Sequence, residues 1–150
     1  MLVREVKRLI GQTAKMKQTS VAPFCSLNLP AGWEVKQHGE YVELQMPALD
    51  TRLRITPFND PTGRLDAQSW VFLVERVNRT RGRRVIARRC GDFTGFETPF
   101  ESGEQWIRGW ALVAGMQGLD VNYRCAAIDT GRDDDIVDAL LSSLRLSTAR

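Results

Sequence analysis

The last third of the chain, residues 93–146, contains three strand-like runs in succession followed by one short helical run. The runs are GFETPF, EQWIRGWALVAG and LDVNYRCAAI, and the helical run is DDDIVDALLSSLRL. Side chains alternate between two faces along a strand, whereas a helix repeats every 3.6 residues, so the change of period marks a change of element. Consecutive strands joined by short turns usually pair with each other. This stretch therefore predicts an antiparallel meander closed by a C-terminal helix.

The middle run of this meander is apolar on both faces. Trp106, Trp110 and Leu112 fall on one face, and Ile107 and Val113 fall on the other. A strand with this pattern is typical of the centre of a sheet that is covered on both sides. We therefore expect structure against each face of the sheet.

A second set of strands is predicted before residue 60. Val42, Leu44 and Met46 alternate with polar residues, and a further run covers residues 51–58. A middle helix should begin after Asp66 as N-cap, with Trp70, Leu73, Val74 and Val77 as its apolar stripe, and RRVIARRC follows it as a strand. In the last helix, Thr130 is the expected cap, and Asp133, Asp134 and Asp135 suit the positive end of the helix dipole.

The N-terminus predicts one more helix. Leu2, Val6, Leu9 and Ile10 have helical spacing with basic residues opposite, so we assign residues 1–20 to a basic amphipathic helix and residues 21–150 to one domain. The helix could pack on the domain or lie on an anionic membrane. The predicted fold class is α+β, with a twisted antiparallel sheet of six or seven strands in two meanders. An N-terminal, a middle and a C-terminal helix flank it.

Composition indicates a soluble, cytoplasmic protein. No apolar run approaches the length of about 20 residues that a membrane span needs, and the N-terminus lacks the apolar core of a secretory signal. Cys25, Cys90 and Cys125 form no CxxC, which argues against a disulfide framework or a zinc site. Cys125 is interpreted as a core thiol, although a reactive cysteine stays open.

Candidate catalytic residues are few. His38 is the one histidine and precedes Gly39 in a predicted turn, and no nucleophile, phosphate-binding or metalloprotease motif occurs. Consecutive residues on a helix do not converge on a metal, so Asp133–Asp135 are interpreted as helix-terminal charge. We expect no enzyme activity, no cofactor and no metal. A small-ligand pocket beside Trp70, Trp106 and Trp110 stays open, although core positions explain these residues.

The arginine-rich segment is the main candidate site. Residues 75–90 contain seven arginines and only one acidic residue, Glu75. Residues 1–20 are also basic. Because the whole chain is only +3, the remainder is net acidic. The guanidinium group is a rigid fork suited to carboxylate and phosphate, but charge can also protect an edge strand. The candidate binding residues are Arg76, Arg79, Arg81, Arg83, Arg84, Arg88 and Arg89.

Three segments resemble the PsbP-like superfamily: Leu29-Pro30-Ala31-Gly32-Trp33, the strand from Trp106 to Gly115, and the helix from Ile136 to Leu146. With the order of elements between them, the resemblance covers roughly residues 27–146. This superfamily includes the photosystem extrinsic protein, a Ran-binding nuclear transport factor, DcrB-type lipoproteins and chaperones of type VI secretion effectors. The resemblance implies a bacterial binding or adaptor domain without a cofactor.

The sequence therefore favours a non-catalytic protein-interaction domain, such as a secretion-associated adaptor or chaperone, whose partner has an acidic surface. The first alternative is binding of a polyanion, either nucleic acid or anionic lipid, through the arginine-rich segment and the N-terminal helix. The second is a small-ligand binder or an enzyme. A homodimer is compatible with all three.

Overall fold

The alternating runs of the sequence form the strands of two antiparallel sheets in an α+β fold. The computed structural model of the protein describes residues 16–147. Its strands and helices, in chain order, are β1 (Lys17–Ala22), β2 (Cys25–Leu29), β3 (Glu34–Gln37), β4 (Val42–Met46), β5 (Thr51–Pro57), α1 (Ala67–Thr80), β6 (Ile86–Cys90), β7 (Phe93–Ser102), β8 (Gln105–Ala114), β9 (Gln117–Ala126), α2 (Asp134–Ser142) and β10 (Arg145–Leu146).

The large sheet has seven strands in the order β3-β4-β5-β9-β8-β7-β6. Both predicted meanders are confirmed, since β3, β4 and β5 pair in sequence, as do β6, β7, β8 and β9. The meanders join where β5 pairs with β9, with Leu53 opposite Tyr123 and Ile55 opposite Val121. This pairing places the strand β8 near the centre of the sheet, as its apolar faces predict.

The two faces of the large sheet have different covers. One face carries the main core, which includes Leu53, Trp110, Leu112 and Val121, and residues of the small sheet and of α2 belong to the same cluster. Helix α1 packs on the other face, against β7, β8 and β9. The two-sided burial expected for β8 is thus confirmed.

The small sheet, with the order β1-β2-β10, was not predicted. In β2, Cys25, Leu27 and Leu29 alternate with Ser26 and Asn28, a short strand pattern that precedes the Pro30-Ala31-Gly32 turn, whereas β10 has only two residues, too few for a period to show. The helix predicted over residues 1–20 lies mainly outside the described residues. Its last positions, Lys17–Ser20, belong to β1, where backbone pairing with β2 decides the conformation. The described part of the chain has two of the three expected helices.

One predicted helix cap is confirmed and the other is wrong. The Asp66 side chain accepts a hydrogen bond from the backbone N–H of Ser69 at 2.7 Å, as an N-cap does. Thr130 instead donates its hydroxyl to the carbonyl of Ala127, within a short 3₁₀ turn that precedes α2. Helix α2 begins after Asp133, because a second turn of chain separates Thr130 from the helix.

A buried arginine fastens α2 to the large sheet. The Arg108 side chain on β8 is only 6% exposed and forms ion pairs with Glu97 on β7 at 2.7 Å, Asp138 at 2.7 Å and Asp134 at 3.1 Å. Arg88 also contacts Glu97, at 2.9 Å. Burial alone would raise the pKa of Glu97, but the hydrogen bonds and charge of Arg108, with those of Arg88, outweigh it and hold that pKa below its usual range.

A second charged cluster fixes the start of α2. Asp133 is buried and accepts hydrogen bonds from the Tyr123 hydroxyl and from Arg132, whose Nε lies 3.0 Å from Asp133 Oδ1. Asp134 and Asp135 lie in the first turn, as the helix dipole favours. The three aspartates therefore differ in role, because two of them also bind a specific partner in the sheet or the preceding turn.

We expect Arg108→Ala to lower the free energy of unfolding by about 3 to 5 kcal/mol, because it leaves Glu97 charged and buried without its main partner. Urea unfolding followed by circular dichroism measures this difference. The exposed Arg64 provides a control, since Arg64→Ala should change stability by no more than about 0.5 kcal/mol.

A double variant separates lost charge pairing from lost packing. Arg108→Met with Glu97→Gln removes both buried charges and should regain part of the stability that Arg108→Ala loses. Equal stability of Arg108→Ala and the parent would show that this cluster does not hold α2 in place.

Candidate interaction surface

The arginine-rich segment forms a corner that runs from the second half of α1, through a turn, into β6. Arg76 and Arg79 lie on α1, Arg81 follows its last residue, and Arg83 and Arg84 lie in the turn. On β6, Arg88 points to the α2 side of the sheet and Arg89 to the α1 side. The positive charge of β6 is therefore divided between the two faces of the sheet.

Three of the seven arginines are held by other residues. Arg79 pairs with Glu75 at 3.1 Å, one helical turn away, and Arg88 pairs with Glu97. Arg83 donates to Asn78 Oδ1 at 3.1 Å and lies over the Phe100 ring, 3.9 Å from its centroid. The Arg83 contacts fasten the turn to α1 and β7, the Arg88 pair joins β6 to β7, and the Arg79 pair lies within α1, so all three side chains have partners inside the domain.

The other four, Arg76, Arg81, Arg84 and Arg89, are exposed and make no ion pair with any residue between 16 and 147. Protection of an edge strand explains charge on β6, which is the last strand of the sheet. It does not explain Arg76, Arg81 and Arg84, which lie outside that strand. These three cations remain available to a partner.

Helix α1 also exposes large apolar side chains beside these arginines. Phe72 is 54% exposed, Leu73 46% and Val77 39%, and these are three of the six large hydrophobic residues exposed within the described chain. Leu73 and Val77 are four residues apart and therefore lie next to each other on the helix surface. Phe72 points in a different direction. We call Phe72, Leu73, Val77, Arg76, Arg81 and Arg84 the basic–apolar surface.

The exposure of Leu73 and Val77 corrects the stripe predicted from the sequence. The buried residues of α1 are Ala67 and Val71. The helix turns this side to the sheet because Gly118 allows a close approach: a Cβ on Gly118 would lie 3.1 Å from that of Ala67. Apolar residues surround much of α1, so helical spacing alone does not reveal which of them the sheet covers.

A groove of ≈ 510 Å³ lies next to Phe72, between α1 and the β6–β7 edge. Its apolar walls come from Val71 and Phe72 on α1, Ala87 on β6 and Phe96 on β7. Arg89, whose side chain points to this face of the sheet, lies at the β6 side of the groove. The groove therefore continues the basic–apolar surface towards β6, the last strand of the large sheet in the described part of the chain.

The remaining sequence candidates do not assemble into a site. His38 is exposed in the β3–β4 turn and stacks on Tyr41, with ring centroids 4.9 Å apart. Trp70 lies on the α1 face, where it stacks on Phe58, whereas Trp110 belongs to the core on the opposite face. Trp106 packs partly buried against that same core. The tryptophans thus do not line one shared pocket.

The three cysteines are poor nucleophiles in this structure. Burial raises the pKa of Cys25 to about 12, and burial with the nearby carboxylates Asp138 and Glu97 raises that of Cys90 to about 11. Cys125 is half-buried against the core, and burial raises its pKa as well. Because the thiolate is the reactive form, all three environments disfavour thiol chemistry.

Across residues 16–147, no three His, Cys, Asp or Glu side chains group together as metal ligands would. Neither α1 nor α2 is long and apolar enough to cross a bilayer.

Solved structures with a similar fold were found, but no family model and no curated sequence matches this chain. A solved structure from Bacteroides thetaiotaomicron VPI-5482 covers 87% of this chain, with a TM-score of 0.60 and 13% identity, and this chain spans about half, 48%, of that protein. The structure of cyanobacterial PsbP (CyanoP) from Synechocystis sp. PCC 6803 is also similar, with a TM-score of 0.56 and 12% sequence identity. The match covers 89% of this chain and 94% of the CyanoP chain. The fold is PsbP-like, which confirms the resemblance seen in the sequence.

Replacing the apolar residues of the basic–apolar surface should leave the fold intact. We expect the triple variant Phe72→Ser, Leu73→Ser and Val77→Ser to change the free energy of unfolding little, with each substitution within about 0.5 kcal/mol, because these side chains already contact water. Urea unfolding measures this, and binding of a hydrophobic dye should fall. Val71→Ser is the contrast, since Val71 is buried and its loss should be several times more costly. A triple variant as unstable as Val71→Ser would show that these residues belong to the core.

Proposed function

We propose that this PsbP-like domain is a non-catalytic protein-interaction domain that binds an acidic, partly apolar segment of another protein on the basic–apolar surface. One observation carries the proposal: exposed Phe72, Leu73 and Val77 share a helix with Arg76, and that helix leads directly to Arg81 and Arg84. The three arginines form no ion pair with any residue described, and the three apolar side chains lie outside the main core cluster.

The two groups support binding in different ways. Burial of Phe72, Leu73 and Val77 by a partner would contribute affinity in proportion to the apolar area removed from water. The arginines would form bidentate hydrogen bonds with carboxylates and so set the partner's orientation. Aromatic residues and arginine are both enriched at the centres of protein interfaces. The combination favours a protein over a purely ionic ligand.

Charge identifies the kind of partner. A second copy of the chain would bring its own Arg76, Arg81 and Arg84 to the contact, and like charges repel. The segment before residue 16 is also basic, with Arg4, Lys7, Arg8 and Lys15 against Glu5. An acidic segment of a different protein is therefore the occupant that complements this surface. The family resemblance supports an adaptor or chaperone role in a bacterial cytoplasm as the form this binding takes.

A random peptide library, selected against the immobilised domain, tests the proposal. We expect the enriched peptides to combine Asp or Glu with large apolar residues. Fluorescence anisotropy on one such peptide should show at least tenfold weaker binding to Arg76→Glu/Arg81→Glu/Arg84→Glu, and also to the Phe72→Ser/Leu73→Ser/Val77→Ser variant. Lys36→Glu with Arg64→Glu is the charge-reversal control at exposed positions elsewhere, and should bind as the parent does.

Two results would contradict this function. Enrichment of peptides without acidic residues would remove the charge argument, and full binding by both surface variants would place the site elsewhere. Polyanion binding gives its own pattern: a DNA duplex would bind with steep salt dependence, lose affinity in the arginine variant and keep it in the serine variant.

A further inference from the structure

A polar trough occupies the α1 side of the large sheet, over strands β4, β5 and β9. It has a volume of ≈ 690 Å³, and Arg52, Arg54, Asp120 and Arg124 are among the residues that line it. These side chains point away from the core because their neighbours Leu53, Val121 and Tyr123 point into it. The trough therefore differs in place and in chemistry from the basic–apolar surface.

Three arginines converge in the trough. Arg52 and Arg54 are alternate residues of β5, and Arg124 lies on the adjacent strand β9, one position beyond the Leu53–Tyr123 pair, beside Arg52. None of the three forms an ion pair with a residue in the described range. Their recorded contacts are neutral: Arg54 lies 4.1 Å from the Tyr41 ring centroid, and Arg124 Nη1 lies 3.4 Å from Gln105 Oε1.

The two carboxylates that line the trough, Glu43 and Asp120, form no ion pair with these arginines. Glu43 is paired in register with Arg54, but its carboxylate accepts a hydrogen bond from Gln45 instead. Asp120 accepts from the Asn122 side chain at 3.2 Å, and burial raises the pKa of its carboxyl. Like charges on adjacent strands lower stability. Arg54 contacts Tyr41 and lies opposite Glu43, but Arg52 and Arg124 are adjacent cations whose mutual repulsion no ion pair in the described fold offsets.

We propose that the trough binds a small metabolite through an oxyanion, either a phosphate or a carboxylate group, which Arg52, Arg54 and Arg124 hold. The guanidinium groups donate to the oxyanion, and the Thr56 hydroxyl and the Gln105 amide are further donors in the same lining. Glu43 and Asp120 provide acceptors for hydroxyl groups of the ligand. The volume lies in the range of sites for small molecules.

Glucose 6-phosphate and citrate are the two probes, because one carries a phosphate and the other carboxylates. Titration of the ¹⁵N-labelled domain at matched ionic strength should give saturable shifts of backbone amides near residues 52–56 and 120–124. The probe that binds more tightly identifies the preferred oxyanion. Glucose and sodium chloride should give no saturable shift there, since neither supplies an oxyanion.

Variants distinguish a built site from general attraction to positive charge. Arg52→Ala with Arg124→Ala should weaken binding of the preferred probe at least tenfold, and Arg64→Ala should leave it unchanged. Without ligand, the Arg52→Ala/Arg124→Ala variant should be at least as stable as the parent in urea, because it removes the repulsion between two adjacent cations, so its lost binding would not reflect unfolding.

Failure of both probes to saturate at millimolar concentration would overturn the proposal. So would shifts centred on the basic–apolar surface, or equal binding by the Arg52→Ala/Arg124→Ala variant. Failure of the probes to saturate, or equal binding by the Arg52→Ala/Arg124→Ala variant, would leave the peptide-binding function unaffected, because that function uses a different surface and different variants.

Discussion

The buried guanidinium of Arg108 is the interaction on which the arrangement of the two sides of the sheet depends. A charge can occupy the interior only when paired carboxylates compensate for its lost hydration. Arg108 lies on the core face of β8, 4.7 Å from the Trp110 ring centroid, and it joins Glu97 on β7 to Asp134 and Asp138 on α2. This network fixes α2 over the sheet and neutralises the charges that meet there.

The distribution of ion pairs follows from this constraint. Between residues 16 and 147, every ion pair except Arg79–Glu75 involves Arg88, Arg108 or Arg132, all on the α2 side or at the start of that helix. Helix α1, in contrast, buries only Ala67 and Val71 against the sheet and leaves Phe72, Leu73, Arg81 and Arg84 exposed. The charged groups on the α2 side of the sheet are thus paired within the described chain. The α1 side instead exposes apolar and cationic side chains that a partner can contact.

The sequence predicts the parts of the fold whose periodicity is strong. The alternation in residues 105–126 predicts the central strands, and Asp66 predicts the start of α1. Strand β2 is missed although Cys25, Leu27 and Leu29 alternate with Ser26 and Asn28, which is the pattern of a strand. The role of Arg108 is also missed, although its position between Trp106 and Trp110 on one strand face, with Asp134 and Asp138 four residues apart on a helix, contains the necessary signal.

For the candidate surfaces as well, the sequence gives the position of the charged residues but not their contacts. The sequence locates the arginine-rich segment, but only side-chain contacts separate Arg83 and Arg88, which hold the fold, from Arg76, Arg81 and Arg84. The trough is missed because Arg52, Arg54 and Arg124 are distant in sequence and ordinary as outward-facing strand residues. Pairing of β5 with β9 brings them together.

The central claim is that the α1 side of this PsbP-like domain is its binding side. The most direct measurement is an amide chemical-shift map of the ¹⁵N-labelled domain, titrated with a synthetic peptide that alternates Glu with Leu. We predict that the largest shifts fall within residues 68–89 and that residues 129–142, around α2, stay unperturbed. The largest shifts around α2, or shifts spread evenly over the protein, would contradict the claim.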